Sequence, residues 1–326
     1  TDRPGRQTSL LELNPHNRIV AGLALGGESW RLVLCNYSFQ ILHETRIPTP
    51  PWRGAEAFRD AIIELIDSAL AAASESRARL HCVGIAVAGI VRPETGELLT
   101  AGNLGMPHCP AIPVQDETTR ILGVPVLLLP AHAATVWGEY ILGAHAATPN
   151  IVVVGIGIGI GAGIIANGRR IVSRPDRPAG HIGHLYIPGN HRPCACGGIG
   201  CLEACAGGRA LLGCARELYP EESWQSAREI DLAAAAGNRH AARLLDRAAR
   251  YEAFATGLLV QMYRPDALIF TGGQCVEGNY LYTRLRRHLS QYLPPGLRDT
   301  LNVSISALGE YGGAVGAARL AFEQYF

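Results

Sequence analysis

Apolar residues recur along this chain with two different periods, and the switches between them mark its elements. Residues 19–25 (IVAGLAL) form an unbroken apolar run, the pattern of a buried strand. Gly26-Gly27 follows as a turn and residues 29–35 (SWRLVLC) read as a second strand, so this stretch is a hairpin. Residues 55–73 place Phe58, Ile62, Ile63, Ile66 and Leu70 at helical spacing. Strands are predicted at 81–88 and 124–129 and a helix at 133–143. The second half repeats the theme, with a strand at 151–154, the glycine run GIGIGIGAG at 155–163 and a strand at 164–167. Helices are predicted at 202–218 and 238–263, then a strand at 267–270 ending in Thr271-Gly272-Gly273, and a helix at 281–292. A strand at 303–306 and a closing helix at 311–322 complete the pattern; Gly312, Gly313, Gly316, Ala317 and Ala318 permit close packing of that helix. Two halves, each a hairpin with a glycine turn followed by alternating helices and strands, imply a duplicated α/β architecture with a ligand cleft between two lobes. Residues 1–16 are polar, rich in Pro and Arg, with a short apolar patch at Leu10, Leu11 and Leu13, and read as a linker or arm.

Composition narrows the class. The chain has 326 residues, more than one core usually supports, and is 48% hydrophobic and 17% charged. Its formal charge is +1, with no long block of one sign, so it lacks the basic footprint of a nucleic-acid surface. All 29 basic residues are Arg, which excludes a P-loop Lys, a Schiff-base Lys and a Lys general base. The longest apolar runs are too short to span a bilayer, and no signal peptide is present. Nine Cys, an odd number with four gathered at 194–205, argue for a reducing compartment, hence the cytoplasm, and for metal binding. The glycines of 155–163 are not followed by the helix and acidic residue of a dinucleotide site, so a hairpin is the better reading.

The densest chemistry lies at 181–203 (HIGHLYIPGNHRPCACGGIGCLE). His184, Cys194, Cys196 and Cys201 supply one imidazole and three thiols within one loop, the Cys₃His set that tetrahedral zinc accepts. With every position filled by protein, no site is left for a water nucleophile, so the zinc is structural. Buried cysteines are common in themselves, but three in eight residues beside a histidine outweigh that reading. Cys205 lies beyond the set, on a predicted helix, and reads as a buried small residue.

That stretch resembles the zinc signature of the ROK family (repressors, open reading frames and kinases). The resemblance runs over residues 17–325 and includes Leu25-Gly26-Gly27, the Asn103-Leu104 pair, the glycine run at 157–163, Thr271-Gly272-Gly273 and the segment 313–318. It implies a two-lobed, actin-like (ribonuclease H-like) α/β ATPase fold with a structural zinc loop, and either a sugar kinase or a sugar-responsive transcriptional regulator. It further implies an N-terminal lobe at 17–130 plus 310–326, and a C-terminal lobe at 131–309 carrying the zinc loop and a dimerisation surface. The sugar contacts it implies are Gly89, Asn103, His184 and Glu203; His181 stands where the family carries a sugar-binding Glu.

The departures separate regulator from kinase. Kinases of the family have an Asp-x-Gly-Gly-Thr turn serving phosphate and magnesium, where this chain reads Ala24-Leu25-Gly26-Gly27-Glu28. Their Gly-Thr-Gly turn is Gly157-Ile158-Gly159, without its hydroxyl. Their Asn-Asp pair, which supplies the catalytic base, falls on Pro130-Ala131, counted back from Gly138-Glu139. His132 is one residue out of register and is expected to point elsewhere. General-base catalysis contributes roughly 10²–10⁴-fold, and phosphoryl transfer rests almost wholly on positioning and charge neutralisation, so no kinase activity and no catalytic residue are expected.

Arg3-Pro4-Gly5-Arg6 and Leu11-Glu12-Leu13-Asn14-Pro15 resemble the linker that follows the winged helix-turn-helix of the family's repressors. Since the first residue is Thr1, the expectation is that DNA is met only through a domain absent from this chain. The sequence therefore reads as the effector-sensing and oligomerisation part of a regulator of carbohydrate metabolism, a homodimer or homotetramer without membrane contact. Its mechanism would be lobe closure, with a small effector bridging Asn103 to His184 and Glu203 and shifting two populations. A His at 181 titrating near neutral pH would favour a sugar phosphate or sugar acid. The alternatives are a divergent ATP-dependent sugar kinase with relocated groups, and an interaction module that meets a protein partner.

Overall fold

The computed structural model describes residues 14–106, 110–172 and 179–326, so the arm expected at 1–16 falls almost wholly outside the described residues. In the first half, β1 (Ile19–Leu25), β2 (Ser29–Cys35) and β3 (Ile41–Pro48) form an antiparallel meander, followed by α1 (Ala55–Ala72). Strand β4 (Leu80–Val87) lies parallel to β1; the hairpin β5 (Ile90–Arg92) and β6 (Glu97–Thr100) leads to α2 (Val114–Leu122); β7 (Val126–Pro130) lies parallel to β4. Helix α3 (Ala131–Leu142) starts at once after β7. In the second half, β8 (Ile151–Ile156) and β9 (Ile160–Ala166) make a hairpin extended by the short β10 (Arg169–Arg170). Four helices follow, α4 (Glu203–Ala206), α5 (Gly208–Leu218), α6 (Ala227–Ala235) and α7 (Arg239–Tyr263). Then come β11 (Ala267–Thr271), parallel to β8, and α8 (Tyr280–Tyr292), α9 (Pro295–Thr300), β12 (Asn302–Ile305), parallel to β11, and α10 (Gly312–Tyr325).

The strand orders, β3-β2-β1-β4-β7 and β10-β9-β8-β11-β12, are the same plan used twice. One core lies between the first sheet and α1, where Ile62, Ile66 and Leu70 cover Leu23, Leu25 and Ile85. A second lies between the other sheet and α7, where Leu244, Leu245 and Ala248 cover Val152, Val154 and Phe270. Helix α7 begins cleanly because the Asn238 side chain accepts from the His240 and Ala241 N–H groups. Among the described residues no helix is long and apolar enough to cross a membrane.

Three elements differ from the sequence expectation. Strand β3 has no counterpart in the sequence reading; it is an edge strand with Ile41 and Leu42 exposed, so the usual alternation is blurred. Strand β9 starts at Ile160, four residues before the expected 164, because Gly161 and Gly163 are strand residues. A side chain at 163 would collide with Val136 and the His132 carbonyl of α3, so the glycines let that helix lie on the strand. The helix expected over 202–218 is two helices, α4 and α5, parted at Gly207, whose backbone is extended (φ −63°, ψ 154°). A Cβ there would stand 2.7 Å from the Ile158 carbonyl oxygen, so the break lets the chain approach the β8–β9 turn.

Helices α10 and α3 are seated by glycines. Gly22 of β1 and Gly84 of β4 are register partners. A side chain at either would overlap a main-chain carbonyl of α10, Ala314 or Ala317 respectively. Gly316 of α10 meets the Ala134 carbonyl of α3 in the same way. By contrast, a Cβ at Gly213 of α5 meets nothing within 4 Å. Gly84→Ala is therefore expected to destabilise the protein by about 3 kcal/mol through backbone displacement. Gly213→Ala should gain roughly 0.5–1 kcal/mol through helix propensity. The urea midpoints of the two variants measure both.

Helix α7 also carries the most heavily desolvated carboxylate. Glu252 is 1% exposed and neither carboxyl oxygen has a hydrogen-bond partner. Burial pushes its pKa up to about 8, from the ordinary 4.5. The folded state then holds a proton that the unfolded state has lost between these values, so stability falls as pH rises from about 4.5 to about 8. Glu252→Gln should remove this slope. The stability difference between variant and wild type should move in the variant's favour by a few kcal/mol across that range, read from urea denaturation at pH 5 and pH 8.5.

Candidate functional site

The two halves meet at two glycine turns. Gly26-Gly27 joins β1 to β2, and Gly157-Ile158-Gly159 joins β8 to β9. Between them stands Asn103, in a short 3₁₀ turn at Gly102–Leu104. A Cβ at Gly27 would lie 2.5 Å from the Asn103 carbonyl oxygen and 3.3 Å from Ile158 Cγ2, so the turns nearly touch. The Asn103 side-chain amide donates to Glu203 Oε1 at 3.3 Å, and the Ile160 N–H donates to Glu203 Oε2 at 2.8 Å. Glu203 opens α4, which ends after one turn at Gly207. Just beyond, Arg209 donates from its two terminal nitrogens to the carbonyls of Gly102 and Asn103, both at 3.2 Å. Thus Asn103 and Glu203, predicted as ligand contacts from opposite halves, are brought together. Arg209, which the sequence reading passed over, completes the junction; an isolated Arg next to a glycine pair gives no sequence signal of a contact more than 100 residues away.

A row of imidazoles lies behind this junction. The rings of His132 and His181 meet edge to face with centroids 5.0 Å apart, and His181 lies 5.7 Å from His184. The expectation that His132 points elsewhere is corrected: α3 starts at Ala131, directly after Pro130, and this turns His132 inward beneath Gly161 and beside Gly180. Burial, then the neighbouring His181, pushes His132 down to about 3. Burial, then His184, pushes His181 down to about 4, and its Nε2 is buried without a partner. The same burial holds the His181 ring toward its neutral form in this arrangement. Gly89 follows β4, where a Cβ would lie 3.0 Å from Ala101 Cβ and would overlap the Thr100 carbonyl. Close packing against the strand leading to Asn103 accounts for that glycine.

The loop beyond the short 3₁₀ turn at Ile182–His184 folds into a tight cluster. Ligand atoms of His184, Cys194, Cys196 and Cys201 all lie within 4.8 Å of one another. His184 Nδ1 is 3.7 Å from Cys194 Sγ, and Cys196 Sγ is 3.7 Å from Cys201 Sγ. A tetrahedral ion with metal–sulfur bonds of about 2.3 Å has an edge of roughly 3.8 Å, so the donors stand at the spacing such an ion requires. They are too far apart for a disulfide. Gly197 and Gly200 carry the positive φ (87° and 80°) that folds the loop back on itself. Cys205 stays outside the cluster, buried, with its thiol donating to the Leu202 carbonyl.

The two positions that the family resemblance assigns to kinase carboxylates are alanines. Ala24 sits at the end of β1, before the first glycine turn, and Ala131 opens α3. Glu28, the residue after that turn, is exposed.

Residues 20–324 match the ROK family. The glucokinase of Halalkalibacterium halodurans is 27% identical over 321 residues, spanning 94% of this chain and 96% of the kinase. A putative xylose repressor of Caldicellulosiruptor is 28% identical over 294 residues, spanning 87% of this chain but 73% of the repressor. The ROK glucokinase of Streptomyces griseus, solved with glucose and AMPPNP, superposes with a TM-score of 0.77 at 27% identity, covering 94% of this chain and 99% of that one. A ROK transcriptional regulator, a homolog of the Escherichia coli MLC protein, shares the fold with a TM-score of 0.76 at 22% identity, covering 96% of this chain and 80% of that one. A match over nearly the whole described chain, and a fold common to kinase and regulator alike, make this protein a member of the ROK family with the actin-like α/β fold of its sugar kinases.

Proposed function

We propose that this chain is the effector-sensing and oligomerisation part of a transcriptional regulator of carbohydrate metabolism, silent as a kinase, with a sugar or sugar derivative as its ligand between the lobes. One observation carries the reading. The two glycine turns that would face a nucleotide's phosphates stand so close that a Cβ at Gly27 would lie 3.3 Å from Ile158 Cγ2, and the kinase carboxylate positions are Ala24 and Ala131. Phosphoryl transfer needs a metal-held phosphate and a positioned base, and both places are apolar here. Asn103, His184 and Glu203 remain as polar groups for sugar hydroxyls, with Glu203 and Asn103 able to exchange their mutual hydrogen bond for a ligand. The lobes in this reading are 17–130 with 310–326, and 131–309, and the oligomer is a homodimer or homotetramer.

A divergent kinase is the second reading, and the inward position of His132 favours it. A neutral imidazole held near pKa 3 is a weak base at pH 7, so the geometry alone does not restore the missing carboxylate. A coupled ATP assay with hexoses and amino sugars is expected to give no turnover above the sugar-free rate. A thermal-shift screen with the same compounds should raise the melting temperature for at least one of them. Turnover of about 1–100 s⁻¹, the ordinary kinase range, would overturn the proposal, and a screen silent for every sugar would remove its ligand.

The Cys₃His cluster is assigned to structural zinc held by His184, Cys194, Cys196 and Cys201. Zinc bound there would neutralise thiolates and hold the loop in shape, with no open position for catalysis. The loop in turn sets His184 and Glu203 toward the junction. Elemental analysis should find about one zinc per chain. Cys201→Ala should abolish that zinc and lower the urea midpoint, whereas Cys205→Ala should retain it. Equal zinc content in both variants would reject the assignment.

A further inference from the structure

Arg209 stands at the first turn of α5 and crosses to the other lobe, where both of its terminal nitrogens end on main-chain carbonyls, those of Gly102 and Asn103. Among the described residues no carboxylate lies within 4 Å of it; the nearby Glu203 has its two oxygens taken by Asn103 and Ile160. The guanidinium therefore keeps its full charge while bonded only to neutral acceptors. Three of its five N–H donors remain available. Arg209 is exposed, and the Glu203 carboxylate, held by Asn103 and Ile160, is the negative group of the same junction.

We propose that Arg209 is a specificity-determining residue of the interlobe cleft, selecting ligands that carry a negative group, a phosphate or a carboxylate, and latching the lobes together when no such group is present. The inference rests on the reading of this cleft as a ligand site. Its physical basis is an exchange. An anionic oxygen offers Arg209 a charge-assisted bond roughly twice as strong as one to a neutral carbonyl, and the planar fork of the guanidinium suits phosphate and carboxylate alike. A neutral ligand offers no such replacement and must enter against the closed latch. Binding of an anion would release Gly102 and Asn103, so ligand charge and lobe position become linked through one side chain. The sugar acid or sugar phosphate anticipated from position 181 is the same ligand class that position 209 would select.

Two measurements test this. In ligand-free protein, Arg209→Gln should raise amide hydrogen exchange of the segment 101–106 at least about tenfold. Inorganic phosphate at constant ionic strength should raise it in the wild type but not in the variant. In calorimetric titrations with glucose, glucose 6-phosphate and glucuronate, the wild type should prefer the two anions over glucose. That preference should fall at least about tenfold in Arg209→Gln and be partly kept in Arg209→Lys, which retains the charge but not the fork. A merely structural role would weaken all three probes together and leave the ratio unchanged, which overturns the proposal, as does an exchange rate unaltered by the substitution or by phosphate. If neutral sugars stabilise the wild type while no anionic probe does, the Arg209 assignment fails and the cleft reading stands. If no sugar of any kind binds, the cleft reading itself has failed.

Discussion

The approach of α10 to the first sheet, main chain against main chain at Gly22 and Gly84, is the contact on which the rest of the molecule depends. No side chain separates the helix carbonyls from the strands, so the helix cannot move outward without opening a void under β1 and β4. The same helix meets α3 through Gly316 and Ala134, and α3 in turn lies on β9 through Gly163. One rigid series of glycine contacts thus runs from the first sheet, through two helices, to the second. It fixes the N-terminus of α3, and with it His132, relative to both glycine turns.

That rigidity explains why small changes at the turns have large chemical consequences. The scaffold holds the β1–β2 and β8–β9 turns at a set separation, so the side chain at 158 decides what fits between them. Isoleucine turns a methyl group toward Gly27, where a hydroxyl would offer a donor. Ala24 and Ala131 remove negative charge from the same region, and burial keeps His132 and His181 neutral. A site without metal-binding carboxylates cannot concentrate the positive charge that phosphoryl transfer uses. It can still recognise a ligand by hydrogen bonds, which depend on placement and not on charge alone.

The sequence carried the parts of this arrangement that arise from local pattern. Strands β1 and β2 were legible to the residue because β1 is an unbroken apolar run and β2, apolar apart from Ser29 and Arg31, follows it across a glycine turn. The metal-ligand set was legible because its four donors lie within one loop. Features set by distant packing were not. The break at Gly207 depends on the Ile158 carbonyl, some fifty residues earlier, and α4–α5 otherwise has the composition of a continuous helix. The inward turn of His132 depends on where α3 begins, and Pro130 alone does not specify that. The charge state of His181 follows from burial against two other rings, which no one-dimensional pattern encodes. Arg209 was invisible for the same reason, since its partners lie on another lobe.

The cysteine loop and the interlobe junction are mechanically one unit. A Cβ on Gly102 would stand 3.1 Å from the methyl of Ala195, the residue between Cys194 and Cys196, so the cluster abuts the very turn that Arg209 and Asn103 use. His184 joins the two from the other side, with Nδ1 toward Cys194 and its ring beside His181. A loop of this length, glycine-rich and with Tyr186 and Ile199 exposed, has little core of its own to hold it. The four donors converge within it, its backbone is tied by bonds such as Cys194 N–H to the Gly198 carbonyl and Gly200 N–H to the Arg192 carbonyl, and the resulting shape places Ala195 against Gly102. Any change in the cluster would therefore reach the lobe contact through one methyl group and one peptide. The shape of the cysteine loop and the position of the Gly102–Asn103 turn are in this sense a single variable.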